Sequence, residues 1–250
     1  MCGIAGVYKS TEQKPVAQAI ARLSHRGPDG QGLCHGHNGV LGHTRLAIID
    51  PDKGQQPMEY DGALICFNGE IYNYQELRDR YLHRENLQTN SDTEVVLRLY
   101  RLFGPSCVTL LDGMFAFGIL DHGDLFLARD PLGIKPLYIT PQNAPTWFAS
   151  ELKALLAVTD TATALQPGTW YHSRLGTHRY YTIGQGWMLQ GMYREPVDAL
   201  PAIRSVLRSA VQKRLLADVP IGVSLSGGLD SSIIALLACQ ETVGTVETFA

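Results

Sequence analysis

Met1–Tyr8 reads MCGIAGVY, and a thiol stands directly behind the initiator methionine. GIAGVY, residues 3–8, is a run of small and apolar residues with the length of a buried strand. The chain therefore opens with a cysteine joined to the start of a core strand. Removal of Met1 before so small a residue is the expected processing, and it makes Cys2 the N-terminus. Cys2 then carries a thiol and a free α-amine, with reference pKa values of about 8.5 and about 7.7–8.0. A partly neutral amine can accept the proton of its own thiol, directly or through one water. Nucleophile and base then share one residue. Taken alone, the stretch also fits a cysteine that merely happens to sit at a strand end.

Outward from this strand, PVAQAIARLS (residues 15–24) has a helical rhythm that places Val16, Ile20 and Leu23 on one face. HRGPDGQG reads as a turn-rich loop. VLGHTRLAIID reads as strand, loop, strand. ALICFNGEIYN begins as a strand that stops at the turn pair Asn68-Gly69. NYQELRDRYL is helical. SDTEVVLRLYRLFG is a helix capped by Ser91, with Glu94 three residues on as a capping box and Gly104 as its stop. GMFAFGILD and DLFLARD flank a hairpin signal at His122-Gly123, LYITP pairs with TWFAS, ELKALLAV is a short helix, and strand-like pieces run on from TWYHS to HRYYT. Consecutive strands joined by tight turns predict antiparallel sheets with helices outside, an α+β arrangement.

The texture changes after a Gly- and Gln-rich stretch. DALPAIRSVLRSAVQKRLLAD is an amphipathic helix, followed by a short apolar strand IGVSL, the glycine loop SGGLDSS and the helical IIALLACQ. Strand, glycine loop, helix is the opening of an α/β unit. VETFA then reads as an unpaired edge strand. The expected organisation is a first domain over residues 2–183, a linker over 184–195, and the start of a second, incomplete domain over 196–250.

Composition narrows the function classes. The chain has 250 residues, 45% hydrophobic and 18% charged, with a net charge of −3. No basic block points to nucleic acid or to a membrane surface. No apolar run reaches the roughly 18 residues of a membrane span, and the N-terminus lacks a signal-peptide layout. A cytoplasmic protein is expected. The five cysteines are widely spaced, without C-x-x-C, which argues against a disulfide framework or zinc knuckle. Cys66 and Cys239 lie in apolar runs and read as buried.

Several residues carry chemistry. Arg45, between two apolar pieces in HTRLAIID, suits a carboxylate held through its planar fork. Asn68 and Gly69 offer a side-chain amide and a backbone N–H side by side, the requirement of an oxyanion hole. They also read as a plain hairpin turn. Asp92 lies in the first turn of a helix, where an acid suits the dipole whatever its role. Together these supply a nucleophile, an oxyanion hole, a cation for an α-carboxylate and anions for an α-ammonium. Such a set would recognise an amino acid and attack its side-chain amide.

The stretches MCGIAG, HRGPDG, HTRLAIID, FNGEIYNYQELR, SDTEVVL, DGMFAFGILD, LARDPLGIKPLY and ASELKALL follow one another over residues 2–156. In that order they closely resemble the class II glutamine amidotransferase domain of glutamine-hydrolysing asparagine synthetases. The resemblance implies an N-terminal-nucleophile hydrolase fold, an αββα sandwich of two antiparallel sheets. It implies that Cys2 attacks the glutamine carboxamide, forming a γ-glutamyl thioester that water then hydrolyses. It assigns Asn68 and Gly69 to the oxyanion hole and Arg45 to the substrate carboxylate. The backbone of Leu46, Ala47, Ile48 and Ile49 would line the site, and Glu70 and Asp92 would face the substrate amine. No cofactor is implied for this half.

SLSGGLDSS resembles the pyrophosphate-binding loop of the same family's α/β ATP-pyrophosphatase domain. The physics agrees: glycines permit close approach to an anion, serines offer hydroxyls, and a helix starting near Ser231 points its positive end at the site. A glycine turn between strand and helix has the same look. It is not the phosphate loop that ends in Gly-Lys-Ser/Thr, because no lysine follows. Leu225, Ser226, Gly227, Gly228, Leu229, Asp230 and Ser231 are the implied ATP contacts, with Mg²⁺ accompanying the nucleotide and its ligands left unassigned. The resemblance implies glutamine, ATP and aspartate as substrates, with aspartate activated as β-aspartyl-AMP, and a homodimer suits the family. A stand-alone glutaminase, an amidotransferase with another acceptor, and a non-catalytic protein that keeps the fold are the competing readings. The second section is expected to be the first part of a longer domain.

Overall fold

The computed structural model describes residues 1–141, 145–184, 195–242 and 244–250. They form two compact units, Met1–Gln185 and Gly186–Ala250. Of the expected linker, residues 185–194 lie outside the described residues.

The first unit contains, in chain order, β1 (Gly3–Tyr8), α1 (Gln13–Arg22), β2 (Gly30–Gly36), β3 (Gly39–Arg45), β4 (Met58–Tyr60), β5 (Ala63–Ile71), α2 (Tyr74–Tyr81) and α3 (Asp92–Phe103). It continues with β6 (Gly113–Asp121), β7 (Asp124–Arg129), β8 (Tyr138–Ile139), β9 (Thr146–Ala149), α4 (Leu152–Leu155), β10 (Thr163–Ala164), β11 (Thr169–His172) and β12 (Gly176–Arg179). Among the described residues these strands make two six-stranded sheets, ordered β10-β8-β9-β1-β3-β2 and β12-β11-β7-β6-β5-β4. The strand pairings of these two sheets are antiparallel throughout, as in β1 with β3 and β9, and β5 with β6.

Alternation along the strands builds the layers. Ile4, Tyr8, Leu41 and Phe148 of the first sheet pack against Leu64, Cys66, Ala116, Leu120 and Leu127 of the second. Ala5, Val7 and Val40 face the opposite way, onto Val16, Ala19 and Ile20 of α1 and Ala154 and Leu155 of α4. On the far side of the second sheet, Tyr100 of α3 stacks on Phe126 with ring centroids 5.0 Å apart. Helices thus cover both outer faces, and the layer order is αββα. The two sheets approach closely where Phe148 nests between glycines. A Cβ on Gly6 would stand 2.6 Å from its ring, and one on Gly118 would stand 2.7 Å away. Burying such a ring is worth roughly 1.5–3 kcal/mol, and a side chain at either glycine would forfeit the fit.

The structure departs from the sequence reading at three places in this unit. Asn68-Gly69 is no turn, for β5 runs through it to Ile71, in register with β6 from Ala63↔Asp121 to Ile71↔Gly113. Nine paired residues and a buried face outweigh the turn preference of two. Leu46–Asp50 is loop rather than strand, because the Arg45 guanidinium takes the carbonyls of Ile49, Asp50 and Pro51. Ser91 does cap α3, but through Thr93 N–H. Glu94 closes no capping box: it turns instead to Gln88 N–H, Thr89 and Arg98. Those bonds outweigh the burial that would raise its pKa and hold it below the usual carboxylate range.

The second unit comprises α5 (Pro196–Arg214), β13 (Gly222–Ser224), α6 (Leu229–Glu241) and β14 (Glu247–Phe249). Here β14 is not unpaired: it lies parallel to β13, Gly222↔Glu247 to Ser224↔Phe249. The unit is a strand–helix–strand crossover with α5 against α6. Val211, Leu237 and Ala238 form its small core, and Arg208 pairs with Glu241 at 3.0 Å. Cys239 is exposed, against the expectation of burial, because the apolar side of α6 that packs on α5 is set by Leu237 and Ala238.

Candidate active site

The register Gly3↔Thr44 brings the start of β1 beside the end of β3. Cys2 therefore adjoins Arg45 and Leu46. Its sulfur accepts from Leu46 N–H at 3.4 Å and faces the Leu46 carbonyl at 3.6 Å. Its own carbonyl accepts from Arg26 Nε at 2.8 Å, and Arg26 in turn is held by Glu151 at 2.7 Å. Burial pushes the Cys2 thiol above its ordinary pKa; Leu46 N–H, the N-terminal charge and Lys135 pull it back, while Asp92 adds to the rise.

The opposite wall is the outer edge of β5. β4 covers β5 only from Ala63 to Ile65, so the edge beyond is open to other partners. Phe67 N–H donates to Gln56 Oε1 at 2.7 Å and Ile71 N–H to Asp92 Oδ2 at 3.0 Å. His43 Nε2 meets the Phe67 carbonyl at 3.1 Å. Burial drives the His43 pKa down to about 3, so the ring is neutral and Nε2 is the donor. Gly69 lies midway along this edge. Its β6 partner Phe115 spends both backbone groups on Asp130, so the Gly69 N–H points away from β6, toward the open edge. Gly69 has no room for a side chain, since a Cβ there would collide with the Met114 carbonyl and Phe115 Cα.

Asn68 shares the inter-sheet side of β5 with Leu64 and Cys66. It is 1% exposed, and neither atom of its amide has a partner among the described residues. Leaving a buried amide unbonded costs about 1–3 kcal/mol, and such a group on a pocket wall is poised for a ligand. Asp92, also buried, has its pKa pushed up to about 7, by burial first and by Glu70 in the same direction, against the bond from Ile71 N–H.

One pocket is lined by Cys2, Arg45, Leu46, Ile48, Ile49, Asn68, Gly69, Glu70 and Asp92. The structure thus brings together residues that the sequence singled out: Cys2 just ahead of β1, Arg45 of β3 and the loop after it, β5, and Asp92 of α3. Ala47 does not line this pocket; its N–H bonds Asp29 Oδ2 at 2.8 Å. Arg45 gives three bonds to loop carbonyls, at 2.7, 3.2 and 2.7 Å. Of the five N–H donors of a guanidinium, these bonds among the described residues use three. Met1, Gly54, Gln56, Phe67, Ser91, Thr93 and Lys135 also line the pocket, and the sequence alone places none of them among the substrate-contacting residues. For Lys135 a signal existed, a lone cation in the apolar run GIKPLY; for Gln56 there was none.

In the second unit, residues 225–228 join β13 to α6, and Leu229, Asp230 and Ser231 open the helix, two residues earlier than expected. Gly227 takes a left-handed conformation at φ 78°. The serines bond within the loop: Ser226 Oγ to Ser231 Oγ at 3.0 Å, and the Ser231 and Ser232 hydroxyls to Gly228 O at 3.1 and 2.8 Å. No group of three or more His, Cys, Asp or Glu stands together for a metal ion among the described residues. No helix among them is long and apolar enough to cross a membrane.

Two antiparallel sheets between helical layers, with a cysteine at the head of a central strand, define the amidotransferase branch of the N-terminal-nucleophile fold. Residues 1–179 match the glutamine amidotransferase domain family, and the chain belongs to it. Residues 202–250 match the asparagine synthase family. The chain is 42% identical, over 97% of its length, to a probable glutamine-hydrolyzing asparagine synthetase of Schizosaccharomyces pombe, of which it covers 45%. It is 41% identical, over 98%, to the asparagine synthetase of Asparagus officinalis, of which it covers 43%. The chain thus spans less than half the length of these relatives. Among solved structures it superimposes on glutamine phosphoribosylpyrophosphate amidotransferase from B. subtilis, with a TM-score of 0.63 at 20% identity, over 99% of this chain and 65% of that one. That likeness shows the fold.

Proposed function

We propose that residues 2–183 hydrolyse glutamine to glutamate and ammonia. The longer protein would use that ammonia for ATP-dependent amidation of aspartate, as the asparagine synthetase names of the relatives suggest. The observation that carries the reading is the meeting, in one pocket, of the Cys2 sulfur, the open Gly69 N–H, the unbonded Asn68 amide and Arg45. With Met1 excised, the Cys2 α-amine takes the thiol proton as the sulfur attacks the carboxamide carbon. The oxygen that becomes anionic lies between Asn68 Nδ2 and Gly69 N–H, donors that need no rearrangement. As the C–N bond breaks, the amine returns the proton to the leaving nitrogen, and ammonia departs. Water, activated by the same amine, adds to the thioester, and the sulfur leaves with its proton. Arg45 holds the substrate α-carboxylate; Asp92 and Glu70 hold its α-ammonium.

In the second unit, residues 196–250, the loop from Leu225 to Ser231 fits a nucleotide pyrophosphate. Gly227 and Gly228 bring backbone close, the first turn of α6 presents free N–H groups, and the serine hydroxyls are near enough to exchange an internal bond for a phosphate oxygen. ATP with Mg²⁺ would bind there and supply the adenylate that activates the acceptor. The compartment proposed is the cytoplasm, and a homodimer is compatible with the family.

The test is glutamate release from glutamine by this chain, with intact mass read on the same sample. Release with Met1 absent, and loss of release in Cys2→Ala, is the expected outcome. A folded, Met1-free chain inactive both alone and in the full-length protein would overturn the reading. A stand-alone glutaminase is the second reading, favoured by the first unit's self-contained inter-sheet core; it expects hydrolysis indifferent to ATP in the full-length protein.

A further inference from the structure

Lys135 is a lysine with only 5% of its surface exposed, on the wall of the pocket that holds Cys2, Met1 and Glu70. A strongly hydrated ammonium is seldom buried without a task. Its backbone is clamped from both sides: Lys135 N–H donates to Asp130 Oδ2 at 2.9 Å, and Arg129 Nε donates to the Lys135 carbonyl at 2.8 Å. Asp130 also receives Leu132 N–H and Ile134 N–H, at 3.1 and 2.9 Å. The loop is therefore a rigid bracket after β7, and the side chain it delivers reaches the reacting end of β1 from the second sheet. Nucleophilic attack, oxyanion binding and substrate binding by Cys2, Asn68, Gly69, Arg45, Glu70 and Asp92 leave this cation without a part.

We propose that Lys135 is a positioning residue for the nucleophile: a fixed positive charge beside Cys2 and Glu70 that favours the uncharged α-amine and the thiolate over their protonated forms. This rests on the glutaminase reading of the pocket. Five other charged groups stand around the same point. Arg45 of β3 lines the pocket too, with its guanidinium anchored on the carbonyls of Ile49, Asp50 and Pro51. Arg26, from the turn after α1, bonds the Cys2 carbonyl and is largely neutralised by Glu151. Glu70 of β5 and Asp92 at the start of α3 line the pocket and act in the opposite sense, favouring protonation. Asp130 is occupied by the backbone of its own loop. Two acids near an N-terminal ammonium would hold its proton; Lys135 is the cation on that wall set against them. The direction of its influence agrees: Lys135 draws down the Cys2 thiol and also the Met1 amine that stands in this place before processing, while burial holds Lys135 itself below the usual lysine range.

The experiment uses the Met1-processed protein and reads Cys2 alkylation by iodoacetamide against pH, by peptide mass spectrometry, which separates Cys2 from the other cysteines. Glutamate release is followed on the same samples. Lys135→Met moves the alkylation midpoint up by about one pH unit, the scale of one nearby charge; Lys135→Arg keeps the wild-type midpoint. A folded Lys135→Met with an unmoved midpoint overturns the proposal, as does Lys135→Arg behaving like Lys135→Met. If Lys135→Met does not fold, Lys135→Gln is judged by the same midpoint. A chain that alkylates with the expected shifts yet hydrolyses no glutamine would retire the glutaminase reading and leave the role of Lys135 standing.

Discussion

Arg26 donates from Nε to the carbonyl oxygen of Cys2 at 2.8 Å, while its Nη1 bonds Glu151 at 2.7 Å. The guanidinium thus ties the residue that carries the nucleophile to the segment before α4. An excised Met1 would leave Cys2 with a free amine and few other anchors on that side. Arg26→Met should lower kcat/KM for glutamine by about 10²-fold through misplacement of the sulfur, with the fold retained by circular dichroism. Glu151 is drawn down to about 2, its modest burial outweighed by bonds from Arg26, Lys153 and His25. Its folded value lies below the ordinary 4.5, so its stabilisation is complete above about pH 5 and disappears as pH falls through about 2. The Tm difference between wild type and Glu151→Gln should follow that course.

Asn68 joins function to instability in one side chain. Its amide is buried and unbonded, so the folded protein carries its desolvation without return until an oxyanion forms. Asn68→Ala should reduce kcat by about 10²–10³-fold, the usual effect of removing one such donor, with a smaller change in KM. Asn68→Leu fills nearly the same space without a polar group. It should raise Tm, by the equivalent of about 1 kcal/mol or more, while abolishing hydrolysis. A lower Tm in Asn68→Leu would mean that the amide is satisfied in solution.

The sequence disclosed this site unevenly, for physical reasons. β1, the Ser91 cap and the His122-Gly123 hairpin are local events: a buried run, a hydroxyl on a nearby N–H, two left-handed residues. Cys2, Arg45, Asn68 and Asp92 could be singled out because each residue type carries its chemistry with it. What local pattern could not supply is the open edge of β5. That edge exists because β4 stops at the level of Ile65 and because Gln56, His43 and Asp92 then take the neighbouring backbone groups. Asn68-Gly69 accordingly looked like a turn, when its glycine is there for lack of room beside Met114. Lys135 shows in the sequence only as a lone cation in GIKPLY, because burial of a cation is a tertiary fact.

Gly69 tests that account. A methyl group there would meet the Met114 carbonyl and stand 2.7 Å from Phe115 Cα. Both are backbone atoms of the neighbouring strand and cannot rotate aside. Gly69→Ala should destabilise by about 1–3 kcal/mol, the range for overpacking, and should lose glutaminase activity by displacing the N–H. Urea denaturation with activity on the same preparation checks both. Stability near wild type would mean that β5 and β6 separate there at little cost, and the edge would not be rigid enough to serve as an oxyanion hole.

Asp92 separates binding from stability by sign. Burial raises its pKa from 3.8 to about 7, so the folded state holds a proton that the unfolded state has released. Stability from this group is therefore full below about pH 4, falls as pH rises, and is lost above about 7. Asp92→Asn keeps an oxygen for Ile71 N–H and carries no charge, so it should raise Tm at pH 8 and leave it nearly unchanged at pH 4. Glutamine recognition runs the other way, because an α-ammonium needs the ionised carboxylate. Wild-type kcat/KM should fall below about pH 7, and Asp92→Asn should be weak at every pH with that limb absent. If the variant keeps the wild-type limb, the ionisation belongs to another group, and Asp92 is held in the pocket wall only to bond Ile71.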